Sequence, residues 1–296
     1  MRSDVVFPSA GLKLAGHLYR PDGVPRAAVV VGHPGGGVKE QAAGLYARRL
    51  SGRGFVTLAF DAAYQGESEG EPRGLEDPGR RVEDLKAAVS FLGSLDGVDP
   101  DRIGVLGICA SGGYALAATA TDPRIRAVAT VSAADISRQF RLGADGGQDP
   151  AVVQGLLAAA AEARGADVER FPLFPATEEE ARAGGPHVYE GWEYYCTPRA
   201  RHPRSARSLT WSSVDRIAGF DAFSSLDLIA PRPVLLIAGR AAVTSWMSVE
   251  AYQKAYGVKE LAWIEGASHV DLYDRDEYVT PAVEKLSGFF AARLGV

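Results

Sequence analysis

The sequence predicts an α/β domain in which a mostly parallel, twisted sheet carries helices on both faces and is interrupted by a helical insertion. Short β-branched and apolar runs alternate with helical patterns over residues 1–137, and the same alternation returns over 217–296. Between them, residues 138–216 show no strand with a strong pattern. We therefore expect a core built from 1–137 and 217–296, with 138–216 as a lid.

The first part of the core follows from periodicity. A hairpin is expected over 4–7 and 12–20, because Ser9-Ala10-Gly11 forms a turn between two alternating runs. Apolar residues at helical spacing in 81–95 indicate a helix with one buried face. The other elements are predicted as strands over 27–31, 55–60, 103–108 and 125–131, and as helices over 39–50 and 112–121.

The second half of the chain contains the insertion and the end of the core. A helix over 151–164, an acidic stretch and a cluster of Tyr and Trp residues mark the insertion. It is expected to cover an apolar pocket; an oligomerisation surface is the alternative, and a homodimer would follow from it. After it, strands are predicted over 234–238 and 260–264, and helices over 248–256 and 281–294.

Composition and charge exclude several classes of protein. A net charge of −5 argues against nucleic acid or an anionic membrane surface as partner. No segment approaches about 18 unbroken apolar residues. The N-terminus lacks the apolar region of a signal peptide, and two cysteines form no disulfide framework, so we expect a cytoplasmic protein. The histidines show no metal-ligand spacing with the cysteines, and the sequence predicts neither metal nor cofactor.

A strand that runs into small residues and then a helix is the strongest chemical signal. The pattern small-x-nucleophile-x-small fits a nucleophile elbow in two frames, centred on Cys109 or on Ser111. We favour Cys109, because Gly107 directly follows the apolar strand. At a helix N-terminus its thiolate should be stabilised and its pKa lowered. An inert, buried thiol is the alternative interpretation.

The residues around this elbow resemble a known family. The chain is similar to the α/β-hydrolase superfamily over nearly its whole length, and Gly107-Ile108-Cys109 resembles the elbow of dienelactone hydrolases, which carry cysteine where most relatives carry serine. The stretches 32–37, 61–70 and 107–114 resemble the dienelactone-hydrolase-like or YcjY-like subgroup, which includes fungal polyketide transferases. The resemblance implies an α/β-hydrolase fold and acyl chemistry.

The same resemblance suggests a base and an oxyanion hole. His269 lies in Gly266-Ala267-Ser268-His269 after the last strand and matches the family's G-x-x-H loop. His33 is a rival that better suits the oxyanion loop. The two oxyanion donors are expected to be the backbone N–H groups of Ala110 and Gly35.

The catalytic acid departs from the family pattern. Relatives usually place Asp or Glu just after the strand 234–238, but residues 239–244 contain no carboxylate. Asp135, after the strand 125–131, occupies an alternative position, and Glu250 lies further along the chain. A Cys–His dyad without an acid is the third hypothesis, since cysteine depends less on a third residue than serine does.

Two further residues are candidates for contact with a substrate. Tyr64 lies in the loop after the fourth strand, and His202 lies in the insertion, where a structural role is the alternative. The sequence as a whole predicts an enzyme in which Cys109 attacks an ester, lactone or thioester of a small molecule and His269 takes its proton. Hydrolysis is the first hypothesis, acyl transfer or lactone formation the second, and a non-catalytic binding protein the third.

Overall fold

An eight-stranded sheet forms the centre of the computed structural model, which describes residues 1–23, 26–164 and 170–295. Two further strands of two residues each pair with one another outside it. The strands are β1 (Arg2–Ser9), β2 (Leu12–Tyr19), β3 (Ala28–Gly32), β4 (Val56–Phe60), β5 (Ile103–Ile108), β6 (Ala127–Val131), β7 (Phe171–Pro172), β8 (Ser208–Leu209), β9 (Val234–Gly239) and β10 (Lys259–Ile264).

The order of the strands confirms the predicted, mostly parallel sheet. The sheet runs β1-β2-β4-β3-β5-β6-β9-β10. Among the described residues of this sheet, β1–β2 and β2–β4 pair antiparallel, and the other five pairs are parallel. The carboxyl ends of the parallel strands therefore meet at one edge, where open α/β sheets bind their ligands.

Helices cover both faces of this sheet. They are α1 (Ala42–Ser51), α2 (Pro78–Gly93), α3 (Ala110–Thr121), α4 (Ile136–Leu142), α5 (Pro150–Glu162), α6 (Glu178–Ala183), α7 (Pro186–Cys196), α8 (Ser212–Ala218), α9 (Ser245–Lys254), α10 (Asp271–Asp274) and α11 (Asp276–Leu294), with a 3-10 turn at Leu226–Ile229. On β3, Val30 packs in a core with α2, α3 and α9, whereas Val29 and Val31 pack in a second core with α1 and α11. This alternation is the two-residue period of a strand buried on both sides.

Several helices begin at residues other than the predicted ones, and three of them show why. α1 starts three residues after 39, because the Lys39 side chain and N–H both bind the Asp61 carboxylate before the helix. α2 starts earlier, where the Asp77 side chain accepts the N–H of Arg80 and Pro78 fills the first turn. α11 also starts earlier, at Asp276, so that Pro281 lies inside the helix rather than at its start.

The segment between β6 and β9 is fastened to the core at several points. Gln41 donates to the carbonyl of Ala200 (2.8 Å), and the N–H of Ala42 donates to the Tyr194 hydroxyl (3.1 Å). Arg199 binds both carboxylate oxygens of Asp274 on α10. The predicted helix over 151–164 corresponds to α5, while β7 and β8 are too short to leave a periodic signal. Within the described residues, every helix is too short or too polar to cross a membrane.

Candidate active site

Cys109 sits in the sharp turn between β5 and α3. Its φ of 55° and ψ of −121° lie in a strained region for a residue with a side chain. A Cβ atom on Gly107 would lie 2.0 Å from the carbonyl oxygen of Ser111, so only glycine fits two residues before the turn. This is the geometry of a nucleophile elbow centred on Cys109.

Ser111, the centre of the alternative frame, is fixed by hydrogen bonds inside the protein. Its side chain is buried; its hydroxyl donates to the carbonyl of His33 (2.5 Å) and accepts from Arg81 (3.1 Å). His33 is buried as well, with Nδ1 at 2.7 Å from the carbonyl of Pro34 and the N–H of Ala62 at 3.2 Å from Nε2. Both residues therefore serve to hold the loop that follows β3.

A cavity of about 260 Å³ lies over Cys109. Helix α7 and the chain beside β7 and β8 cover it with mainly apolar side chains. The lining residues from the insertion include Leu173, Phe174, His187, Val188 and Tyr195. The core contributes Gly35, Ala110, His269, Tyr273 and Glu76. The candidate nucleophile and the candidate base thus share one covered space.

Two backbone N–H groups lie close to the sulfur of Cys109. They belong to Ala110 and Gly35, and their proximity lowers the pKa of the thiol. Gly35 is held in turn by the Tyr195 hydroxyl, which donates to its carbonyl (3.2 Å). The structure therefore brings both expected oxyanion donors beside the candidate nucleophile.

Tyr273 connects Cys109 with His269. Its hydroxyl lies 3.0 Å from Nε2 of His269 and also hydrogen-bonds with the Cys109 thiol. The pKa of Tyr273 is raised well above its ordinary value by burial and by the neighbouring thiol, so the phenol keeps its proton. Sequence reasoning missed this residue, although it lies one helical turn after His269.

Thr244 holds the other side of the imidazole. Its hydroxyl lies 2.5 Å from Nδ1 of His269. If the tyrosine donates to Nε2, then Nδ1 carries the proton and donates to Thr244, which assigns a consistent tautomer. Thr244 follows β9, in the stretch where the family resemblance led us to expect a carboxylate.

Asp135 is buried but bound elsewhere. Its carboxylate caps α4 through the N–H groups of Ser137 and Arg138, pairs with the Arg138 guanidinium, and accepts the N–H of Ala222 (3.0 Å). The other carboxylate considered, Glu250, pairs with Arg138 and Lys254. The structure brings neither acid to the imidazole.

The thiol and the imidazole are both neutral at pH 7. Burial raises the pKa of Cys109 above 9.0, although three hydrogen bonds oppose that shift. Burial, with His187 nearby, lowers the pKa of His269 well below 6.5. The expectation of a lowered thiol pKa is therefore wrong for this structure, because desolvation of the thiolate outweighs the N–H groups at the helix start.

The insertion supplies a second histidine that the sequence did not single out. The ring of His187 lies 5.2 Å from that of His269, edge to face. Its Nδ1 lies 2.7 Å from Glu190, whose other carboxylate oxygen accepts the N–H of Val270 (3.3 Å). This pair ties α7 to the loop that carries the candidate base.

Tyr64 and His202 are not among the residues that line the cavity. Tyr64 has a positive φ and packs against Gly70 in its own loop. His202 Nδ1 accepts the N–H of Arg204 (3.3 Å), which is a local turn contact. The structure thus gives both residues a role in loop conformation. In the described ranges, no three His, Cys, Asp or Glu side chains converge as a metal site would require.

The chain is similar to a known family and to several known proteins. Residues 14–139 match the dienelactone hydrolase family. YcjY of Escherichia coli (strain K12) is 41% identical over 271 residues, which are 90% of this chain and 89% of YcjY. Acyltransferase drtE of Aspergillus calidoustus is 28% identical over 288 residues, 94% of this chain and 91% of drtE.

The fold has the same shape as a crystal structure of a relative. The hypothetical protein PA2218 from Pseudomonas aeruginosa superposes with a TM-score of 0.91 and 37% sequence identity, over 99% of this chain and 94% of that one. These matches confirm the α/β-hydrolase fold and the YcjY-like resemblance that the sequence indicated. The chain therefore belongs to the dienelactone hydrolase family of α/β-hydrolase enzymes, together with YcjY and PA2218.

Proposed function

We propose that this enzyme accepts the acyl group of a small thioester, ester or lactone on Cys109 and transfers it to water. One observation carries the proposal: Cys109, on the elbow, shares a covered cavity with two backbone N–H donors and a Tyr273–His269 pair. Each of these groups has a defined part in acyl transfer.

Acylation begins from the neutral thiol. The sulfur of Cys109 attacks the carbonyl carbon while its proton passes to the Tyr273 oxygen and the phenol proton passes to Nε2 of His269. The carbonyl electron pair becomes an oxyanion, held by the N–H groups of Gly35 and Ala110. The oxyanion collapses, and the leaving thiolate or alkoxide takes the proton back along the same path.

In deacylation Cys109 changes from nucleophile to leaving group, and water becomes the nucleophile. Water attacks the thioester formed on Cys109 and gives its proton through Tyr273 to His269. The second oxyanion expels the thiolate of Cys109, which recovers a proton as the carboxylic acid leaves. Thr244 accepts the Nδ1–H of the imidazolium throughout, and we therefore assign to it, rather than to Asp135, the role of orienting the ring.

Transfer to another acceptor is the alternative. The name of the relative drtE, an acyltransferase, and the covered cavity both favour it, because a covered acyl-enzyme excludes water until an acceptor enters. Lactone formation is the intramolecular case, in which a hydroxyl of the acyl chain attacks Cys109's thioester. All three outcomes share the same first step.

The acyl-enzyme is the species to test. After brief mixing with octanoyl-N-acetylcysteamine, peptide mass mapping should find the octanoyl group on Cys109, and product analysis should find octanoate. Cys109→Ala should lose turnover by about 10³-fold or more. Ser111→Ala is the matched control in the same turn and should retain an acylatable Cys109.

Three results would contradict the proposal. An acyl group on Ser111 would move the nucleophile to the other frame. Full activity in Cys109→Ala would remove the thiol from the chemistry. Saturable binding of acyl ligands with no turnover of any thioester, ester or lactone would point to a binding protein.

A further inference from the structure

The imidazole of His187 is an accessible polar group in the cavity wall, and no step of the proposed acyl transfer uses it. It belongs to α7 and lines the same cavity as Cys109. Its side chain keeps 20% of its surface accessible, and Cys109 is only partly buried, so both are open to a small molecule in the cavity. The neighbouring wall is apolar, with Leu173, Phe174 and Val188.

Two neighbours of His187 determine which of its ring nitrogens carries the proton. Nδ1 lies 2.7 Å from a carboxylate oxygen of Glu190, which can only accept, so we assign the proton to Nδ1. Nε2 lies 3.3 Å from the amide nitrogen of Gln139, which can only donate. Gln139 lines the cavity together with His187, so the Nε2 edge of the ring is turned towards it. His187 therefore presents a hydrogen-bond acceptor to the cavity.

The contact at Nε2 can be exchanged for one with a bound water. Its length of 3.3 Å exceeds the range of about 2.7–3.2 Å that is usual for an N–H donor. The side chain of Gln139 is only partly buried, so its amide keeps access to solvent when it turns away. A water in its place would lie in the same covered space as an acyl group on Cys109.

The mechanism proposed above leaves one hydrogen of the attacking water without an acceptor. The first water proton passes through Tyr273 to His269. His269 cannot accept the second hydrogen, because Tyr273 occupies its Nε2 and Thr244 its Nδ1. An O–H group without an acceptor is unfavourable in a covered site. Nε2 of His187 can supply that acceptor.

We propose that Nε2 of His187 accepts a hydrogen bond from the water that attacks the thioester on Cys109, and that this contact favours water over an alcohol as acceptor. The inference rests on the proposed function, since it assumes the acyl-enzyme. The water oxygen bonds to the acyl carbon, the C–S bond breaks, and one water proton reaches the thiolate through Tyr273 and His269. The hydrogen that His187 holds stays on the oxygen and leaves with the carboxylic acid.

An alcohol cannot make both contacts, because it has a single O–H group. Its proton must pass to Tyr273 if its oxygen is to attack the acyl carbon. Its carbon chain then takes the place of the hydrogen that faces His187, and Nε2 gains no donor. The contact with His187 therefore discriminates between water and an alcohol that are otherwise activated in the same way.

The partition of one acyl-enzyme between water and methanol tests this inference. Each protein turns over octanoyl-N-acetylcysteamine at a fixed concentration of methanol, and mass spectrometry measures the initial rates of octanoate and methyl octanoate formation. The ratio of the two products belongs to the acyl-enzyme, so neither the amount of active protein nor the rate of acylation alters it. We expect His187→Phe to raise the ratio of ester to acid by about 2- to 12-fold, the contribution of a neutral hydrogen bond.

The variants separate the lost acceptor from a change of shape. Phenylalanine is no smaller than histidine, so additional ester cannot come from new room for the methyl group. His187→Gln, whose amide oxygen can lie near the position of Nε2, should keep the wild-type ratio. Tyr189→Phe removes a hydroxyl that binds Arg182 on the same helix, and as the matched control it should keep the ratio too. Should His187→Phe not unfold cooperatively, His187→Leu replaces it with the same expectation.

An unchanged ratio in His187→Phe, or octanoate as its only product, would overturn the inference. An equal rise in His187→Gln would do the same, since it would trace the effect to the lost ring rather than to the lost acceptor. These results refute only the role of His187, because the acyl-enzyme still forms and turns over. If no acyl group reaches Cys109 and neither product forms, the proposed function fails and the inference fails with it.

Discussion

Tyr273 is the residue on which the proposed proton path depends. Its hydroxyl contacts both the candidate nucleophile and the candidate base, so it can pass the thiol proton of Cys109 to His269. A phenol with a raised pKa can relay a proton by giving one as it receives another, without a stable phenolate.

Tyr273→Phe removes this hydroxyl and keeps the ring. We expect kcat to fall by about 10²- to 10⁴-fold, the usual contribution of general acid–base catalysis, with KM changed little. Steady-state kinetics on one thioester measures both constants. Tyr194→Phe, which alters another buried phenol of the same aromatic cluster, is the control. A kcat within twofold of wild type in Tyr273→Phe would mean that His269 reaches Cys109 directly.

The orienting residue can be identified by comparing Thr244 with Asp135. Thr244→Val keeps the branched shape and removes the hydroxyl that faces Nδ1, so we expect kcat to fall by about 2- to 12-fold, the worth of a neutral hydrogen bond. Asp135→Asn should instead lower the free energy of unfolding by about 1–3 kcal/mol, since its charge pairs with Arg138, and leave kcat nearly unchanged.

Urea unfolding and steady-state kinetics on both variants separate these effects. A large loss of kcat in Asp135→Asn, with Thr244→Val active, would restore Asp135 as the acid of a triad. Loss of stability in neither variant would contradict the cap and ion pair seen at Asp135.

At the scale of elements, the pattern of the sequence predicts the sheet because the inner parallel strands, β3 to β6 and β9, are buried on both faces and form largely apolar runs. The elbow is equally visible, since its close contacts admit only small residues around Cys109. The sequence therefore allows two predictions here: that strand β5 turns sharply into helix α3, and that Cys109 lies at the centre of this turn.

The covering segment left much weaker signals. Helices α6 and α7 are short, and the pair β7–β8 has two residues per strand, so neither period repeats long enough to be recognised. The contributions of His187 and Glu76 to the cavity depend on packing between distant parts of the chain. Thr244 could have been suspected from its position after β9, but a hydroxyl in place of a carboxylate carries no motif.

For the whole molecule, burial of the site determines its response to pH. The pKa of His269 is lowered, so the imidazole loses its proton at a pH well below 6.5 and stays neutral above it. The pKa of Cys109 is raised above 9.0, so the thiol keeps its proton across the neutral range. The neutral pair is the form that the proposed mechanism uses.

We therefore expect kcat/KM to be constant from about pH 7 to pH 9 and to fall only well below 6.5, as His269 becomes protonated. A pH profile with a stable thioester measures this. An activity that rises with a midpoint near pH 7 to 8 would instead indicate that a thiolate of ordinary pKa must form first.

A cytoplasmic location and a homodimer stay predictions from the sequence.

The hydroxyl of Tyr195 has one more consequence. It belongs to helix α7, yet it donates to the carbonyl of Gly35, whose N–H lies close to the sulfur of Cys109. If α7 acts as the predicted lid, we expect its movement away from the core to break this bond and free the glycine loop. In such an open state Gly35 would no longer be held as an oxyanion donor. An acyl group on Cys109 would then react slowly with water until α7 returned to its place.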